Sequence, residues 1–480
     1  MGLKVLFVIE KIGLLDVMSI PVLAAAVKQH GHQVRLAVYN QGKMATRELL
    51  RTFKPDLVAY SLTSEDSGRY VAINRELKKE EKFFAVFGGA HPTFFPEFIH
   101  EDGVDAICLG EGDIVFPALL ERFGSESMYE VANFHFKKSD GTIRKNPLSN
   151  LVSDLDVLPF PDRDIIFQQN TFLAQNPVKA FFAGRGCPFQ CTYCFNHSYN
   201  ELYRGKGRVI RNKSVGYLIK EIKSVAERYP VSFVKFHDDV FGFNKDWLAE
   251  FTARYPREIA KPFLSYVNPS MVTDAYCRSL KEAGCFSVCM AFESGSRRIR
   301  EEILHRRMSD QQIIDAAALC KRHGLRIYTL NMIGIPDESE AEIWETVELN
   351  QKVDSDYADA SIFQAYPGTW ISTYCRDKGL LSEDKGGFNS QFSGSSLNFS
   401  QEYKVKLEII HRLFPMLVDL PGLEKVYPWL GTSRFVRGLF HYLYRFYYGV
   451  FLHQRIYANS IPLRLQLKAF MTLLFSKDRA

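Results

Sequence analysis

Short apolar runs alternate with amphipathic stretches over residues 1–145. None of these runs alternates strictly between apolar and polar positions, and each is followed by a stretch with apolar residues at helical spacing. The pattern is typical of parallel strands that helices cover on both faces, so it predicts a doubly wound α/β domain. The predicted strands are residues 4–9, 33–39, 57–62, 83–88 and 104–109, and the predicted helices are residues 17–30, 46–53, 69–82 and 96–102, with a further helix beginning at Gly112 or Asp113.

A second alternating region with longer units begins at Lys179 and ends near residue 388. Its six apolar runs predict six strands of a second α/β domain. A proline-rich segment at residues 155–163 lies between the two regions and is expected to act as a stiff spacer. The predicted strands are residues 179–184, 232–237, 263–267, 286–293, 326–333 and 358–366, and the predicted helices are residues 215–229, 247–255, 274–283, 311–323 and 340–351.

The alternation stops after residue 388, and the C-terminal region is predicted to be mostly helical. A segment rich in Ser, Asn and Gly leads to a helix at residues 401–414, closed by Pro415, and to a second helix at residues 433–448. From Arg434 onward, eight Arg or Lys residues stand against one acidic residue and are interleaved with aromatic residues. Two alternatives remain open for this tail. It forms a helix pair packed on the second domain with Arg outward, or it contacts a bilayer surface.

Length and composition indicate an ordinary folded protein with more than one domain. A chain of 480 residues is too long for a single core, and 46% hydrophobic and 24% charged residues are ordinary values. The predicted division is residues 1–145, a linker at 146–178, a core at 179–388 and a helical region at 389–480. A net charge of +5 gives no argument for nucleic acid as a partner. The odd number of cysteines, nine, and the lack of a long uncharged apolar run predict a cytoplasmic protein.

The candidate chemistry lies in the run GCPFQCTYCF at residues 186–195, which follows the first strand of the second region. Three thiolates on one short loop, Cys187, Cys191 and Cys194, can hold three irons of a cubane cluster. The fourth iron then has no protein ligand and is open to a substrate. The alternative is a zinc site, but structural zinc normally takes four ligands in two close pairs, and no second such pair follows.

This CxxxCxxC loop resembles the signature of radical SAM enzymes. The resemblance implies a 4Fe-4S cluster whose open iron chelates S-adenosylmethionine, at the strand ends of a partial (β/α)6 TIM-like barrel. The segment LDVLPFPDR at residues 155–163 is similar to a stretch found in related enzymes. The resemblance also implies four further cofactor-binding residues: Tyr193, between the second and third cysteines, beside the adenine; Asp238, at a strand end, near the ammonium; Glu293 of the AFESG run, at a strand end, at the ribose hydroxyls; and Asn331 in the strand that packs against adenine.

Polar and glycine-rich loops follow the strands of the first domain, where ligands of doubly wound sheets bind. A hydroxyl strand end, a paired-glycine turn and a GEGD run together resemble the Rossmann-like cobalamin-binding domain found at the N-terminus of radical SAM proteins. The resemblance implies cobalamin contacts from Ser61, Thr63, Gly88, Gly89, His91, Gly110 and Glu111. The first loop, EKIGLLD at residues 10–16, lacks the histidine of the usual DxHxxG loop, so we expect cobalamin without a protein imidazole. The alternative is a domain that has kept the fold and lost the cofactor.

Together these resemblances identify the chain as a member of the cobalamin-dependent radical SAM family, methyltransferase-like. They imply methylation of an unactivated carbon, or of phosphorus, in a small-molecule or lipid substrate, with flavodoxin or ferredoxin as reductant. An oxidative cyclase acting on a tetrapyrrole is the alternative that uses the same cofactors. A methylthiotransferase is disfavoured because the N-terminal half lacks three cysteines for a second cluster. A non-catalytic sensor would not account for the cysteines, Asp238 and Glu293 at strand ends.

Overall fold

The computed structural model describes residues 2–14, 18–381, 394–426, 434–458 and 461–475. The chain divides into two compact units. The first comprises Met1–Gln175 and Tyr199–Val209, and the second comprises Asn176–Ser198 and Ile210–Ala480. In the described part of the chain, no helix is both long enough and apolar enough to cross a bilayer.

The first unit is a doubly wound α/β domain, as predicted. Its sheet has the strand order β2-β1-β3-β4-β5-β6-β7, and β1 to β5 are parallel. The strands are buried because their apolar residues pack against helices, and Leu6, Val58 and Phe87 belong to one such core cluster. The strands are β1 Lys4–Ile9, β2 Gln33–Val38, β3 Leu57–Ser61, β4 Phe84–Gly88, β5 Ala106–Cys108, β6 Phe134–Lys137 and β7 Ile143–Lys145. The helices are α1 Ser19–Gln29, α2 Lys43–Phe53, α3 Ser67–Lys78, α4 Ala90–Phe94, α5 Val115–Arg122, α6 Asp164–Phe167 and α7 Thr171–Gln175.

Two features of the first unit were not predicted. β6 and β7 extend the sheet in the antiparallel direction, so the sheet is mixed rather than wholly parallel. The predicted helix at residues 96–102 is a 3₁₀ turn, Pro96–His100, and the helix that precedes it is α4. β7 is three residues long with mostly exposed side chains, so it gives little hydrophobic signal.

The second unit contains the partial barrel. Its six-stranded sheet has the order β15-β14-β13-β12-β11-β8, and every neighbouring pair is parallel. Helices cover its outer face, and the largest core cluster packs β-strand residues such as Phe236 and Val288 against helical residues such as Ile219. The strands are β8 Val178–Phe181, β9 Gly184–Arg185, β10 Arg211–Asn212, β11 Phe233–Phe236, β12 Phe263–Val267, β13 Cys285–Glu293, β14 Arg326–Ile333 and β15 Tyr357–Ile362. Helix α8, Phe195–Leu202, begins in this unit and ends in the segment assigned to the first unit. The other helices are α9 Val215–Ala226, α10 Lys245–Glu258, α11 Asp274–Glu282, α12 Asp310–Arg322, α13 Glu340–Lys352 and α14 Trp370–Asp377.

The C-terminal region is helical, but its helices differ from the prediction. α15 runs through Pro415 instead of ending there. The predicted helix at 433–448 continues through a π-helical turn, Tyr448–Leu452, and a further helix follows near the C-terminus. The predicted linker at 389–400 is described only from residue 394. The helices are α15 Gln401–Asp419, α16 Leu423–Val426, α17 Arg434–Tyr447, α18 His453–Ile456 and α19 Leu463–Phe475.

The middle of the basic aromatic tail packs against the barrel strands. Leu452 and Ile456 form a core cluster with strand residues such as Phe233 and Leu264. Ser287 of β13 donates a hydrogen bond to the backbone oxygen of Ile456 over 2.8 Å. Of the arginines, Arg445 is buried and Arg455 donates to Asp419 over 2.5 Å. The alternative in which the tail packs on the second domain therefore agrees with the structure, except that Arg445 is buried rather than outward.

Candidate functional site

The three-cysteine loop follows β9 in the second unit. Cys191 is buried, Cys187 and Cys194 are half-buried, and all three are free thiols. Burial raises the pKa of Cys187 to about 12 and that of Cys194 to about 11. Metal ligation needs thiolates, so binding of iron here would displace protons from these groups.

Hydrogen bonds through Thr192 fix this loop. Its backbone N–H donates to Leu304 over 3.2 Å, and its hydroxyl donates to the backbone oxygen of Ile303 over 2.6 Å. The backbone oxygen of Thr192 accepts from the N–H of Ile371, in α14, over 3.1 Å. Ile303 ends a π-helical turn, Ile299–Ile303. The cysteine loop is thus held by the segment that follows β13, and β13 is the strand that ends at Glu293.

Glu293 and the loop after it have a constrained geometry. Glu293 is buried with φ +70°, a conformation that costs a non-glycine residue energy and needs surrounding structure to hold it. A Cβ at Gly295 would lie 2.1 Å from the backbone oxygen of Glu345, so only glycine fits there. The fully buried Arg300 donates to the backbone oxygen of Gly295 over 2.7 Å. These contacts fix the backbone just after Glu293.

Tyr193 and Glu293, both predicted from the sequence, are in contact. The Tyr193 hydroxyl donates to Glu293 Oε1 over 2.8 Å. Burial raises the pKa of Glu293 above its usual value, although the hydrogen bond from Tyr193 and the nearby Arg306 act in the opposite direction. The contact holds the Glu293 carboxyl group beside Tyr193, the residue that directly precedes Cys194 in the cysteine loop.

Arg306 is a site residue that the sequence analysis missed. Its Nη1 lies 3.2 Å from Cys191 Sγ and 3.3 Å from the Tyr193 hydroxyl, and its Nη2 donates to the backbone oxygen of Ala291. Burial opposes the charge of Arg306, but Tyr193, Cys191 and Glu293 together raise its pKa above the usual range. A buried cation thus joins the cysteine loop to the end of β13. In the sequence, Arg306 is marked only by the basic residue that follows it, Arg307.

The residues around this loop fit the cluster and S-adenosylmethionine. Arg306 Nε is buried and has no hydrogen-bond partner among the described residues, and the carboxylate of S-adenosylmethionine is a group that would satisfy it. Among those residues, no three His, Cys, Asp or Glu side chains are placed to hold a single metal ion. This does not count against a cubane, because each thiolate there binds a different iron.

Asp238 and Asn331 lie near the predicted places, but protein groups already occupy their polar atoms. Asp238 is buried and accepts from the N–H groups of Ala183 and Gly184 over 3.0 and 2.5 Å. Asn331 is buried and donates to the backbone oxygen of Asp359 over 2.9 Å. Their cofactor contacts stay predictions. Asp239, next in the chain, is also engaged by protein groups: burial raises its pKa, and hydrogen bonds from Asn196 and from the N–H of Gly186 act in the opposite direction.

The first unit brings the predicted cobalamin loops together at one edge of its sheet. Ser61 and Gly88 are paired at the ends of β3 and β4. Gly89 has φ +98°, and a Cβ there would lie 2.6 Å from the backbone oxygen of Leu62. The hydroxyl of Thr93 donates to Gly89 and accepts from the N–H of Gly110, which links the loops after β4 and β5. Close protein packing therefore accounts for glycine at position 89.

His91 and Glu111 are held by neighbours in these loops. His91 Nδ1 lies 3.0 Å from the Ser64 hydroxyl, and burial lowers the pKa of His91 to about 4. The N–H of Glu111 donates to the hydroxyl of Tyr203 over 3.1 Å. Thr63 is exposed and donates to Asp66 over 3.1 Å. The edge thus presents hydroxyl and backbone groups, which are suitable donors and acceptors for cobalamin side chains.

Both units match family models. The radical SAM superfamily model matches residues 182–349, and the B12 binding domain model matches residues 9–120. The chain belongs to the cobalamin-dependent radical SAM family. The cofactors of this family member are therefore a 4Fe-4S cluster, S-adenosylmethionine and cobalamin, as predicted.

Individual relatives agree with this placement. An uncharacterised methyltransferase of Pyrococcus horikoshii is 29% identical over 70% of this chain and 72% of its own length. The cytidylyl-2-hydroxyethylphosphonate methyltransferase of Streptomyces wedmorensis is 21% identical over 73% of this chain and 72% of its own. The cobalamin-dependent radical enzyme OxsB has a similar fold, with a TM-score of 0.64, 15% identity and coverage of 98% of this chain and 79% of that one. The prediction of a methyltransferase-type enzyme is confirmed.

Proposed function

We propose that this cobalamin-dependent radical SAM enzyme methylates an unactivated carbon, or a phosphorus, of a lipid, cofactor or natural product. The observation that carries the proposal is the presence of a cobalamin-binding domain and a three-cysteine radical SAM domain in one chain. When bound, the cofactors supply a carbon-centred radical that removes a hydrogen atom and a methyl group that replaces it.

The residues of the second unit have distinct roles in this proposal. Cys187, Cys191 and Cys194 hold three irons and leave the fourth open. Glu293 accepts hydrogen bonds from the ribose hydroxyls, and the Tyr193 contact holds its carboxyl group in place. Arg306 supplies a buried positive charge for the carboxylate of S-adenosylmethionine and for Cys191.

The first unit holds cobalamin through the loops after β3, β4 and β5. Thr63 and Ser61 offer hydroxyl groups, and the turns at Gly88–Gly89 and Gly110–Glu111 offer backbone groups. No histidine occurs in the chain before His30, so the first loop cannot supply an imidazole to cobalt.

The ring-forming alternative uses the same cofactors, and no contact among the described residues favours it. A methylthiotransferase would need a second set of cluster ligands, and the first 178 residues contain a single cysteine, Cys108. We also propose a cytoplasmic enzyme that receives electrons from flavodoxin or ferredoxin.

Anaerobic assays with methyl-deuterated S-adenosylmethionine test the proposal. Extracts of candidate substrates are incubated with reconstituted enzyme, and products are analysed by mass spectrometry. Methylation predicts a product heavier by one labelled methyl group in place of a hydrogen, formed together with 5'-deoxyadenosine and S-adenosylhomocysteine. A product that loses hydrogen or gains oxygen would contradict methylation and support the cyclase. Cys191→Ala should abolish turnover, whereas Cys108→Ala, outside the cluster loop, should retain it.

A further inference from the structure

Two C-terminal helices of the second unit carry rows of exposed apolar side chains. On α17 these are Leu439, Tyr442, Leu443 and Phe446, which are 40–54% exposed and follow the i, i+3, i+4, i+7 spacing of one helix face. On α19 they are Leu463, Leu467 and Met471, which are 49–69% exposed and recur every four residues. We call these seven residues the apolar face.

Both helices also bury single apolar side chains away from the apolar face. Phe440 of α17 belongs to the core cluster of α15 and β15. Leu465 of α19 is buried, as is Ile461 just before that helix. Both helices also carry Arg or Lys residues, so each is amphipathic rather than apolar on all sides. The apolar face consists of rows of exposed apolar side chains that lie apart from the buried contacts of these helices.

The two rows lie on neighbouring helices. α17 and α19 contact each other, and the rings of Phe446 and Phe470 are 6.4 Å apart at their centroids. Exposed apolar side chains that are grouped on neighbouring helices mark an interaction site more often than scattered single residues do.

The charge of this segment indicates what covers the apolar face. Residues 434–475 include six Arg or Lys and no Asp or Glu. Arg464 and Lys468 are exposed and are interleaved along α19 with the apolar-face residues Leu463 and Leu467. Long basic side chains next to apolar and aromatic ones suit the boundary between anionic headgroups and acyl chains. A second copy of the chain is disfavoured, because it would bring two such cationic segments together.

We propose that the apolar face docks this enzyme on an anionic phospholipid bilayer, with α17 and α19 lying in the interface. The proposal does not depend on the reaction being methylation. If the enzyme docks in this way, it works at the bilayer surface. Its substrates are then expected to be dissolved in the lipid or attached to it.

Vesicle co-sedimentation of the full-length protein tests this docking. Wild-type protein should bind vesicles of phosphatidylglycerol and phosphatidylcholine, and binding should weaken with added salt. A triple variant, Leu443→Ser with Leu467→Ser and Met471→Ser, should lower the partition coefficient by about tenfold or more, since each apolar side chain contributes separately. Met44→Ser is the matched control, because Met44 is 75% exposed on α2 of the first unit. Equal melting curves confirm that the variants fold.

The charge contribution is tested separately. Arg464→Gln with Lys468→Gln should reduce binding to the anionic vesicles by about tenfold and leave the weak binding to pure phosphatidylcholine unchanged. The proposal is overturned if wild-type protein does not bind, or if the triple variant binds as wild type does. It is also overturned if light scattering shows a dimer that the triple variant converts to a monomer, without vesicle binding.

Discussion

The guanidinium of Arg306 lies 3.2 Å from the sulfur of Cys191, although 115 residues separate them in the chain. Arg306 is buried, and the contact places a positive charge directly beside a ligand of the cluster. Positive charge and hydrogen bonds near a cluster sulfur favour the reduced, more negative state. Arg306 is therefore expected to tune the cluster as well as to meet S-adenosylmethionine.

Replacing Arg306 should make the cluster harder to reduce. In Arg306→Gln the midpoint potential should become more negative by on the order of 60 mV, which is about a tenfold change in the one-electron reduction equilibrium. Redox titration followed by electron paramagnetic resonance measures this on the reconstituted full chain, without substrate. Iron content should remain close to that of the wild type, because the three cysteines are unchanged.

Two further variants test whether the charge at position 306 itself sets the midpoint potential. Arg306→Lys keeps the charge and should recover most of the potential. Arg307→Gln removes the neighbouring charge, which is exposed, and should leave the potential within a few millivolts of the wild type. An unchanged potential in Arg306→Gln would show that the contact has no electronic role.

The central parallel strands of both units were predictable because their burial is recorded locally. β1, β12 and β14 match the predicted ranges at both ends, and each is a mostly buried and largely apolar run between turn signals. The three cysteines and Glu293 were also predictable, because each lies in a short run with a recognisable spacing. The direct contact between Tyr193 and Glu293 was not predicted, because the sequence related each residue only to S-adenosylmethionine.

The features that the sequence did not predict depend on distant partners. α15 continues through Pro415 because its apolar side packs on β15, and that packing outweighs one missing backbone hydrogen bond. In the sequence, nothing distinguishes Leu452 and Ile456 from the other apolar residues of the tail. Only the structure shows that they pack against the barrel strands. Arg306 has no motif of its own, because its partners Cys191 and Tyr193 lie in another part of the chain.

Gly110 should be essential for the loop after β5. It has φ +67°, and a Cβ there would lie 1.9 Å from the Tyr203 hydroxyl oxygen. Gly110→Ala should therefore move Tyr203 or the loop and lower cobalamin content at least severalfold, as measured from the absorption spectrum of protein loaded with hydroxocobalamin. Gly124→Ala is the matched control, because Gly124 has φ +82° with open space around it and should cost only about 1–2 kcal/mol of backbone strain. Full cobalamin content in Gly110→Ala would contradict this role.

Asp359 should make the stability of the apoprotein fall as pH rises. Burial raises the pKa of Asp359 to about 7, while hydrogen bonds from Ala360 and Tyr444 only partly oppose this. An acid whose folded pKa is raised favours the folded state below its unfolded pKa, and that contribution is lost as pH rises through about 7. Each pKa unit is worth about 1.4 kcal/mol, so the loss is on the order of a few kcal/mol.

The substitution Asp359→Asn removes this ionisation and keeps an acceptor for Tyr444. The melting temperature of the wild type should fall more than that of Asp359→Asn between about pH 5 and about pH 8. Asp102→Asn, at a side chain that is 84% exposed, should behave as the wild type. Parallel pH profiles for wild type and Asp359→Asn would refute the assignment.

Cobalamin in this enzyme should have no protein imidazole on cobalt. In the described part of the first loop, Glu10 is bound to Arg69 over 3.0 Å, and no histidine precedes His30. His91, in the loop after β4, is held by Ser64 and stacked on Phe95 at 4.8 Å, which leaves its ring little freedom to turn toward a ligand. The electron paramagnetic resonance spectrum of the cobalt(II) form should therefore lack nitrogen coupling from imidazole and should be the same in His91→Gln. Nitrogen coupling in the wild type would contradict the prediction, and its loss in His91→Gln would identify His91 as the ligand.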